Sequence, residues 1–193
     1  MVSIDSPGGN FSGSVQLAGT LSSVQPPIRR AVGYAAGQTL ADAALVAVAC
    51  RPLYMNPDSR LGGPGAVMVN RDDLAVLDEA IERIAKDTSR PAALIRGLLD
   101  PTLEVRRYTN RRTGEVRYAT QADIDSDADN REQWQPGDAI DLKNGLSAAE
   151  AIELGLAEGQ AASIKEVATL IGLTEVPAPL ASRGIVHFVE WFG

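Results

Sequence analysis

Two glycine-containing stretches near the N-terminus hold the residues of this chain that are best placed to do chemistry. The first is Ser6-Pro7-Gly8-Gly9, which directly follows a short apolar run. Proline ends a β-ladder and paired glycines permit positive φ, so this turn leaves backbone N–H groups bare and lets another chain come close. Bare N–H groups of this kind can hold a carbonyl oxygen that gains negative charge during a reaction.

The second stretch runs from Gly37 to Asp42 and leads into a helix without a polar face. Residues 41–50 are almost all small or apolar, and Asp42 is the only charged residue among them. A helix of this composition has no face to offer water, so it is predicted to form the core. Asp42 is predicted to cap this helix, because the helix dipole favours a carboxylate there. Catalytic use of Asp42 is the alternative.

Strands and helices alternate around these two stretches. Apolar spacing predicts helices at 12–24, 41–50, 72–87 and 89–99, and strands at 2–4, 28–34 and 52–55. Two Ser-x-x-Glu capping boxes, at 147–150 and 163–166, predict helices that end at Gly155 and Gly172. Residues 173–176 are predicted to form a last short strand.

An arginine-rich β-hairpin is predicted at 104–120, with its turn at 112–114. Its five arginines could suggest a nucleic-acid ribbon, but the whole chain has a net charge of −7. Nucleic acid requires a positive footprint, so no nucleic-acid partner is predicted. Charges that keep an edge strand from aggregating are the favoured interpretation, and docking of a peptide along that edge stays open.

Alternating aspartates at 123–129 have the spacing of a calcium loop but lack two of its essential residues. Counted from Asp123, the position that needs glycine is Ala128 and the one that needs a bidentate glutamate is Trp134. A solvated acidic turn is therefore predicted, and residues 133–144 are predicted to continue as a polar loop. The sequence predicts no metal site and no cofactor.

Composition indicates one domain. A chain of 193 residues that is 45% hydrophobic can bury a sizeable core. The single cysteine, Cys50, lies on the apolar helix and is predicted to be an inert buried thiol. The sequence has no apolar run of the roughly 18 residues that a membrane-spanning helix needs and no signal peptide, so these residues are expected to be soluble.

The order of these motifs resembles the ClpP/crotonase superfamily. The resemblance rests on Ser-Pro-Gly-Gly after a strand, then Gly37-x-x-x-Ala41-Asp42, then Ala-Cys before the next strand. The segment AxxCRPLYMNPDSRLGG at 47–63 and the helix with Gly-Leu-Ala at 146–159 are more similar to the NfeD and signal-peptide-peptidase-A branch. That branch consists of membrane-associated ClpP-class serine peptidases.

The resemblance implies an α/β fold, a ClpP/crotonase-like spiral of ββα units with the hairpin added to it. Residues 1–176 would form the single domain, 102–142 an insertion, and 177–193 an apolar tail. Relatives carry another strand and helix before Ser-Pro-Gly-Gly and membrane spans after the domain, so the sequence looks like the central piece of a longer protein. The resemblance also implies a homo-oligomer at a membrane of the bacterial cell envelope.

The resemblance places the catalytic nucleophile at Ala41, whether counted from Gly37 or back from the turn at 55–57. Alanine has no nucleophile. The branch pairs a serine with a lysine, yet residues 69–85 contain no lysine and Lys86 lies too far along its helix. The only histidine, His187, belongs to the tail and is predicted to serve in packing. The N–H groups of Gly8, Gly9 and Asp42 remain as predicted oxyanion and peptide-binding donors.

The favoured function is therefore binding without hydrolysis, with an extended peptide or a membrane-protein segment as partner. One alternative is an active serine peptidase with a relocated nucleophile, for which Ser6 and Ser59 are the candidates beside Asp42. The other is a crotonase-type acyl-CoA enzyme. The catalytic glutamate of crotonases would fall near Leu45, where the chain has no acid.

Overall fold

The computed structural model describes residues 1–66, 71–127 and 130–176, which form nine strands and seven α-helices. The strands are β1 Val2–Ser6, β2 Gly33–Thr39, β3 Leu53–Met55, β4 Arg60–Leu61, β5 Arg106–Asn110, β6 Val116–Ala119, β7 Trp134–Ala139, β8 Leu146–Ser147 and β9 Gly159–Gln160. The helices are α1 Phe11–Ser22, α2 Asp42–Val48, α3 Arg71–Thr88, α4 Ala92–Leu99, α5 Gln121–Ser126, α6 Ala148–Glu153 and α7 Ile164–Leu170. The predicted α/β class is confirmed.

The main sheet is built around β2. Its strand order is β8-β4-β2-β3-β9, and β1 pairs with the other edge of β2. The first half of β2 pairs in parallel with β3, and the second half pairs in parallel with β4. Since β3 and β4 share one edge of β2 and then diverge to different partners, the sheet curls. The curl brings the carboxyl ends of β1 and β2 next to the start of α2.

Helix α2 lies at the centre of the core, as the sequence predicts. All seven of its residues are buried, and Leu45 is only 1% exposed. Gly33 of β2 lets the chain that leaves the helix come close, because a β-carbon there would lie 2.8 Å from the β-carbon of Cys50. On the opposite face of the sheet, Tyr34 of β2 and the preceding residue Val32 pack with Val167 of α7. The sheet is therefore covered on both faces.

A buried arginine connects the end of α2 to the C-terminal part of the domain. Arg90 is 4% exposed and donates to the carbonyl oxygens of Val48 and Cys50. Its other terminal nitrogen lies 2.9 Å from the Glu158 carboxylate, which also accepts from the Leu53 N–H at 2.5 Å. Burial lowers the pKa of Arg90, and the Glu158 charge opposes that shift. The buried charge is thus paired and hydrogen-bonded, as a buried cation must be.

The second sheet has the order β6-β5-β7 and is antiparallel throughout. Strands β5 and β6 confirm the hairpin predicted at 104–120. The prediction of a polar loop at 133–144 is wrong in part, because β7 lies within this range and pairs with β5. Strand β7 is mostly exposed, so it lacks the alternation of buried residues that marks a strand in sequence. Tyr108, which is 1% exposed, anchors a small core beneath this sheet.

Two hairpin arginines have partners within the second sheet. Arg106 pairs with Glu104 at 2.6 Å and donates to the carbonyl oxygen of Gly137. Arg117 lies 3.9 Å from the Asp127 carboxylate and 6.0 Å from the ring centre of Trp134. The interpretation of the arginines as charges of an edge strand is wrong for Arg106, because β5 lies between β6 and β7; Arg117 does lie on an edge strand, β6.

Two strand predictions are wrong, and the acidic turn predicted at 123–129 is wrong for its first residues, while 128 and 129 lie outside the described residues. The strand predicted at 28–34 begins only at Gly33 and continues to Thr39, while Ile28 is 58% exposed. The error arose because the Ala and Gly residues of β2 have low strand propensity and are placed by packing instead. Residues 173–176 do not form a strand. Asp123 lies within α5, where Thr120 forms a capping box with it.

Both predicted C-terminal helices are present. Ser147 and Glu150 form a reciprocal capping box at the start of α6. The Ser163 side chain accepts from the Glu166 N–H at the start of α7. Gly155 and Gly172 follow the two helices with φ of 72° and 80°. No helix in the described ranges combines the length and apolar character needed to cross a membrane. The predictions for the tail at 177–193, including His187, lie outside the described residues.

Candidate functional site

The link between β2 and α2 makes a sharp turn at Ala41. This residue has φ 46° and ψ −126°, a backbone state that residues other than glycine rarely adopt and that costs about 1–3 kcal/mol. Its N–H donates to the carbonyl oxygen of Gly63 at 3.1 Å. A strained strand-to-helix turn of this kind is the arrangement that presents the nucleophile in many hydrolases. Here the side chain at the turn is a methyl group that is 2% exposed.

Two glycines lie against the Ala41 methyl group. A β-carbon on Gly8 would be 3.1 Å from the β-carbon of Ala41, and one on Gly65 would be 2.8 Å from it. The segment that carries Gly65 is held in place because the Ala66 N–H donates to the carbonyl oxygen of Pro7 at 2.7 Å. The glycine turn, the start of α2 and the loop after β4 therefore meet at Ala41.

Two of the three predicted donor amides already have acceptors. The Gly8 N–H donates to the Ser6 hydroxyl oxygen at 3.1 Å, and the Gly9 N–H donates to Asp42 Oδ1 at 2.8 Å. The Asp42 N–H has no acceptor among the residues that the structure describes. A bound carbonyl would therefore have one unpaired amide to meet, unless Ser6 or Asp42 moves away.

The prediction that Asp42 caps the helix is wrong: Ala41 holds the cap position, Asp42 is the first helical residue, and no side-chain cap hydrogen bond forms there. The Asp42 side chain instead bridges neighbouring elements. It is 1% exposed, and its second oxygen accepts from the Ser14 hydroxyl at 2.7 Å. Its carboxylate thus joins α1, the glycine turn and α2. The sequence analysis did not single out Ser14. Since Ser14 and Asp42 are 28 residues apart, no local pattern links them.

The two serines considered as relocated nucleophiles have structural hydrogen bonds. Ser6 is half-buried and accepts from the Gly8 N–H. Ser59 is 2% exposed and donates to the carbonyl oxygen of Asn56 at 2.7 Å. Neither contact provides a base for the hydroxyl proton.

The described part of this region contains no cluster of metal-binding side chains, and its cysteine is buried. Within residues 1–66, 71–127 and 130–176, no three His, Cys, Asp or Glu side chains gather as a metal-binding group. Burial raises the pKa of the Cys50 thiol to about 11, so the thiolate is scarce at neutral pH. This agrees with the prediction of an inert cysteine.

A groove of about 370 Å³ opens beside the site. It is lined by all of β1, by Gly8, Gly9 and Asp42, and by apolar residues of α1 and α2. Leu17, on the groove wall, is 46% exposed. The groove therefore combines backbone, apolar surface and one buried carboxylate.

Sequence comparisons found no match. None of the protein-family models that were scanned matches the chain, and no curated protein matches it. Solved structures, in contrast, have similar folds.

Two of these structures are of 1510-N membrane-bound stomatin-specific protease. A lysine-to-alanine mutant in complex with a substrate peptide has a TM-score of 0.54 and 14% identity, covering 86% of this chain and 62% of that chain. A serine-to-alanine mutant has a TM-score of 0.51 and 15% identity, covering 86% of this chain and 65% of that chain. This chain thus spans less than two thirds of the length of these two structures.

A third structure, ClpP1 from Listeria monocytogenes, has a TM-score of 0.44 and 15% identity, covering 83% of this chain and 72% of that chain. That score is too low to add to the comparison. At such identities the two protease structures show a shared fold and nothing about activity. The fold expected from the sequence motifs is confirmed at that level: the chain shares its α/β fold with this membrane-bound stomatin-specific protease.

Proposed function

We propose that this chain is a peptidase-fold domain that binds an extended peptide or a membrane-protein segment and does not hydrolyse it. The binding site consists of the glycine turn and the start of α2. The observation that carries this proposal is Ala41, which has the backbone geometry of a nucleophile turn and a methyl side chain. The site keeps the shape of a hydrolase and lacks the atom that would attack.

Hydrolysis on this fold needs a nucleophile and a base that takes its proton. A methyl group cannot attack a carbonyl carbon. The adjacent Asp42 carboxylate is already occupied by the Gly9 N–H and the Ser14 hydroxyl. Both oxygens of this carboxylate are therefore engaged in hydrogen bonds that hold the site together. Turnover by a neighbouring residue is therefore disfavoured as well.

Binding depends on features that the alanine does not remove. Gly9 is exposed, and a β-carbon there would meet nothing within 4 Å, so a ligand can approach its backbone. The Asp42 N–H, which has no acceptor among the described residues, offers a donor, and the groove beside it offers apolar surface. The fold neighbour that was solved with a substrate peptide supports a peptide as the class of ligand.

The proposal extends to location and assembly. The fold neighbour named a membrane-bound protease supports association with a membrane, through segments outside this sequence. The bacterial cell envelope is proposed from the resemblance to the NfeD branch alone. Homo-oligomer formation is proposed from the same resemblance to NfeD-type and ClpP-class proteins. Sedimentation of the purified chain would test the assembly directly.

A binding and labelling experiment tests the function. The probe is a nine-residue peptide of alternating valine and threonine with a lysine at each end, added to isotope-labelled protein. We expect saturable shifts of the Gly8, Gly9 and Asp42 amide resonances, no cleavage of the peptide, and no labelling by a fluorophosphonate.

Three outcomes would overturn this proposal. Labelling of a serine such as Ser6 or Ser14 would indicate a relocated nucleophile. Saturable binding of coenzyme A at the same amides would favour the acyl-CoA alternative. Absence of any shift at the three amides would remove the site.

A further inference from the structure

The Asp42 carboxylate occupies an amide that a peptide carbonyl would need at the glycine turn. The Gly9 N–H donates to Asp42 Oδ1 at 2.8 Å. In a hydrolase, backbone donors of this kind are left open for the carbonyl oxygen of the ligand. Here an oxygen of the protein itself takes that place. The Gly9 donor is therefore engaged before any ligand arrives.

The glycine turn is shaped around this carboxylate. A β-carbon on Gly8 would collide with Asp42 Oδ1, so only glycine at this position leaves room for the carboxylate. Gly9 is exposed, and a β-carbon there would meet nothing within 4 Å. A ligand can thus approach the backbone of the turn, while the Gly9 N–H itself points at Asp42. A carbonyl oxygen reaches that hydrogen only in the space that the carboxylate fills.

Ser14 holds the carboxylate in this position. Its hydroxyl donates to Asp42 Oδ2 at 2.7 Å. Asp42 is 1% exposed, and no cationic side chain of the described residues lies within 4.0 Å of its carboxylate. A buried carboxylate needs hydrogen-bond donors or a cation to compensate its burial. The Gly9 amide and the Ser14 hydroxyl together supply that compensation.

A ligand carbonyl and Asp42 compete for the Gly9 amide. A backbone amide has a single hydrogen to donate, so a bound carbonyl requires that Asp42 Oδ1 leave it. The displaced carboxylate would then keep the Ser14 hydroxyl as its donor and lose the Gly9 amide. Loss of a donor is unfavourable for a buried carboxylate. The contact between Gly9 and Asp42 therefore lowers the affinity of the site for a carbonyl.

We propose that the Asp42 carboxylate, held by Ser14, is an internal competitor of the ligand and determines how tightly a peptide carbonyl binds at the glycine turn. This inference rests on the proposed function and adds an affinity-determining side chain to its site. A carboxylate that served only as a structural bridge would have the opposite effect. Its loss would loosen the turn and weaken binding.

Removal of the carboxylate tests the competition. Asp42→Ala keeps the backbone N–H of residue 42 and frees the Gly9 N–H. With the valine–threonine peptide, we expect Asp42→Ala to bind about tenfold more tightly, because a hydrogen bond to a charged group no longer has to be broken. Equal or weaker binding than that of the unmodified protein would overturn the proposal.

Asp5→Ala is the matched control for the lost charge. Asp5 lines the same groove, is exposed, and accepts from the Gln38 N–H at 3.0 Å instead of from the glycine turn. We expect Asp5→Ala to change the affinity by less than about twofold, because exposed charges contribute little. A gain as large as that of Asp42→Ala would assign the effect to net charge and overturn the proposal.

A second measurement uses the unmodified protein and does not depend on the alanine variant folding. A hydrogen bond transmits a small scalar coupling between the amide nitrogen of Gly9 and the carboxyl carbon of Asp42, which nuclear magnetic resonance detects. We expect this coupling in the free protein and its loss when the peptide saturates the site. A coupling that persists in the complex would show that the ligand leaves the carboxylate in place, which contradicts competition.

The amide resonances separate this inference from the proposed function. Peptide-induced shifts of Gly8, Gly9 and Asp42 in the unmodified protein, with no gain of affinity in Asp42→Ala, would leave the proposed function intact and overturn the competition. Shifts of Gly8 and Gly9 in Asp42→Ala alone would support the competition and overturn binding by the natural chain. No shift in either protein would overturn both.

Discussion

The starts of α2 and α6 are built in opposite ways. At α6, Ser147 has φ −68° and ψ 165°, and the Glu150 carboxylate accepts from the Ser147 N–H at 2.7 Å. At α2, Ala41 has φ 46° and ψ −126°, and no side-chain cap is present. One helix therefore begins with a relaxed backbone and two reciprocal hydrogen bonds. The other begins with a strained backbone and an amide that has no acceptor among the described residues.

This difference shows what determines the backbone geometry at the start of each helix. A Ser cap contributes about 1 kcal/mol, and the strained state of Ala41 costs about 1–3 kcal/mol. The chain forms an ordinary cap where helix stability alone is at stake. At α2 the geometry is fixed by contacts outside the helix, namely the Gly63 carbonyl oxygen and the close approach of Gly8 and Gly65. These contacts of the site, and not the helix itself, therefore maintain the strained backbone at Ala41.

Glycine substitutions at Ala44 in α2 and at Ala41 just before it test that strain and have the largest expected effect. Ala44 is 0% exposed in the helix interior, so Ala44→Gly should lower the free energy of unfolding by about 2 kcal/mol, from about 1 of helix propensity and about 0.8 of lost methyl burial. Ala41→Gly should stay within about 1 kcal/mol of the original protein, because Ala41 lies outside the helix interior and relief of strain offsets the lost methyl burial. Urea unfolding of both variants measures the contrast. Similar losses would mean that the turn at Ala41 is not strained.

The other end of α2 gives a prediction about pH. The pKa of Cys50 is raised from 9.0 to about 11 by burial, so above pH 9 the unfolded chain loses the thiol proton before the folded one does. The free energy of unfolding should therefore fall between pH 9 and 11, by at most about 1.4 kcal/mol per pH unit from this group. Cys50→Ala removes this contribution while other groups still titrate. Identical pH profiles of the two proteins would contradict the burial of the thiol.

The start of α6 gives the smallest effect. Hydrogen bonds from Ser147 lower the pKa of Glu150 below its ordinary 4.5, so its stabilisation is present above that value and is lost as the pH falls through the lowered pKa. Ser147→Ala should cost about 1 kcal/mol at neutral pH and should raise the pKa of Glu150. Nuclear magnetic resonance titration of the glutamate side chain measures the pKa. An unchanged pKa would show that the capping box is not formed in solution.

Local signals in the sequence predicted the parts of the fold that depend on local physics. The capping serines, the turn glycine of the hairpin and the unbroken apolar run of α2 each act within a few residues, and those elements are confirmed. Strand β7 and the true limits of β2 depend on partners far along the chain. Exposed residues of β7 and small residues of β2 carry little strand preference by themselves.

The sequence predicted several residues of the site but not the hydrogen bonds between them. Sequence alone singled out Gly8, Gly9, Ala41 and Asp42, and the structure gathers them in one place. Their roles in binding stay predictions. Sequence gave no indication that Asp42 would take up the Gly9 amide or that Ser14 would complete the bridge, because these contacts join residues 28 to 33 positions apart.

The pairing of Arg90 with Glu158 has a consequence for how the protein is made. The carbonyl groups at the end of α2 are completed by Arg90, and that cation acquires its carboxylate partner 68 positions later in the chain. A nascent polypeptide on the ribosome that has emerged only as far as α4 would hold an uncompensated guanidinium in its interior. We therefore expect the central helix, although encoded early, to gain its full stability only after Glu158 has been synthesised.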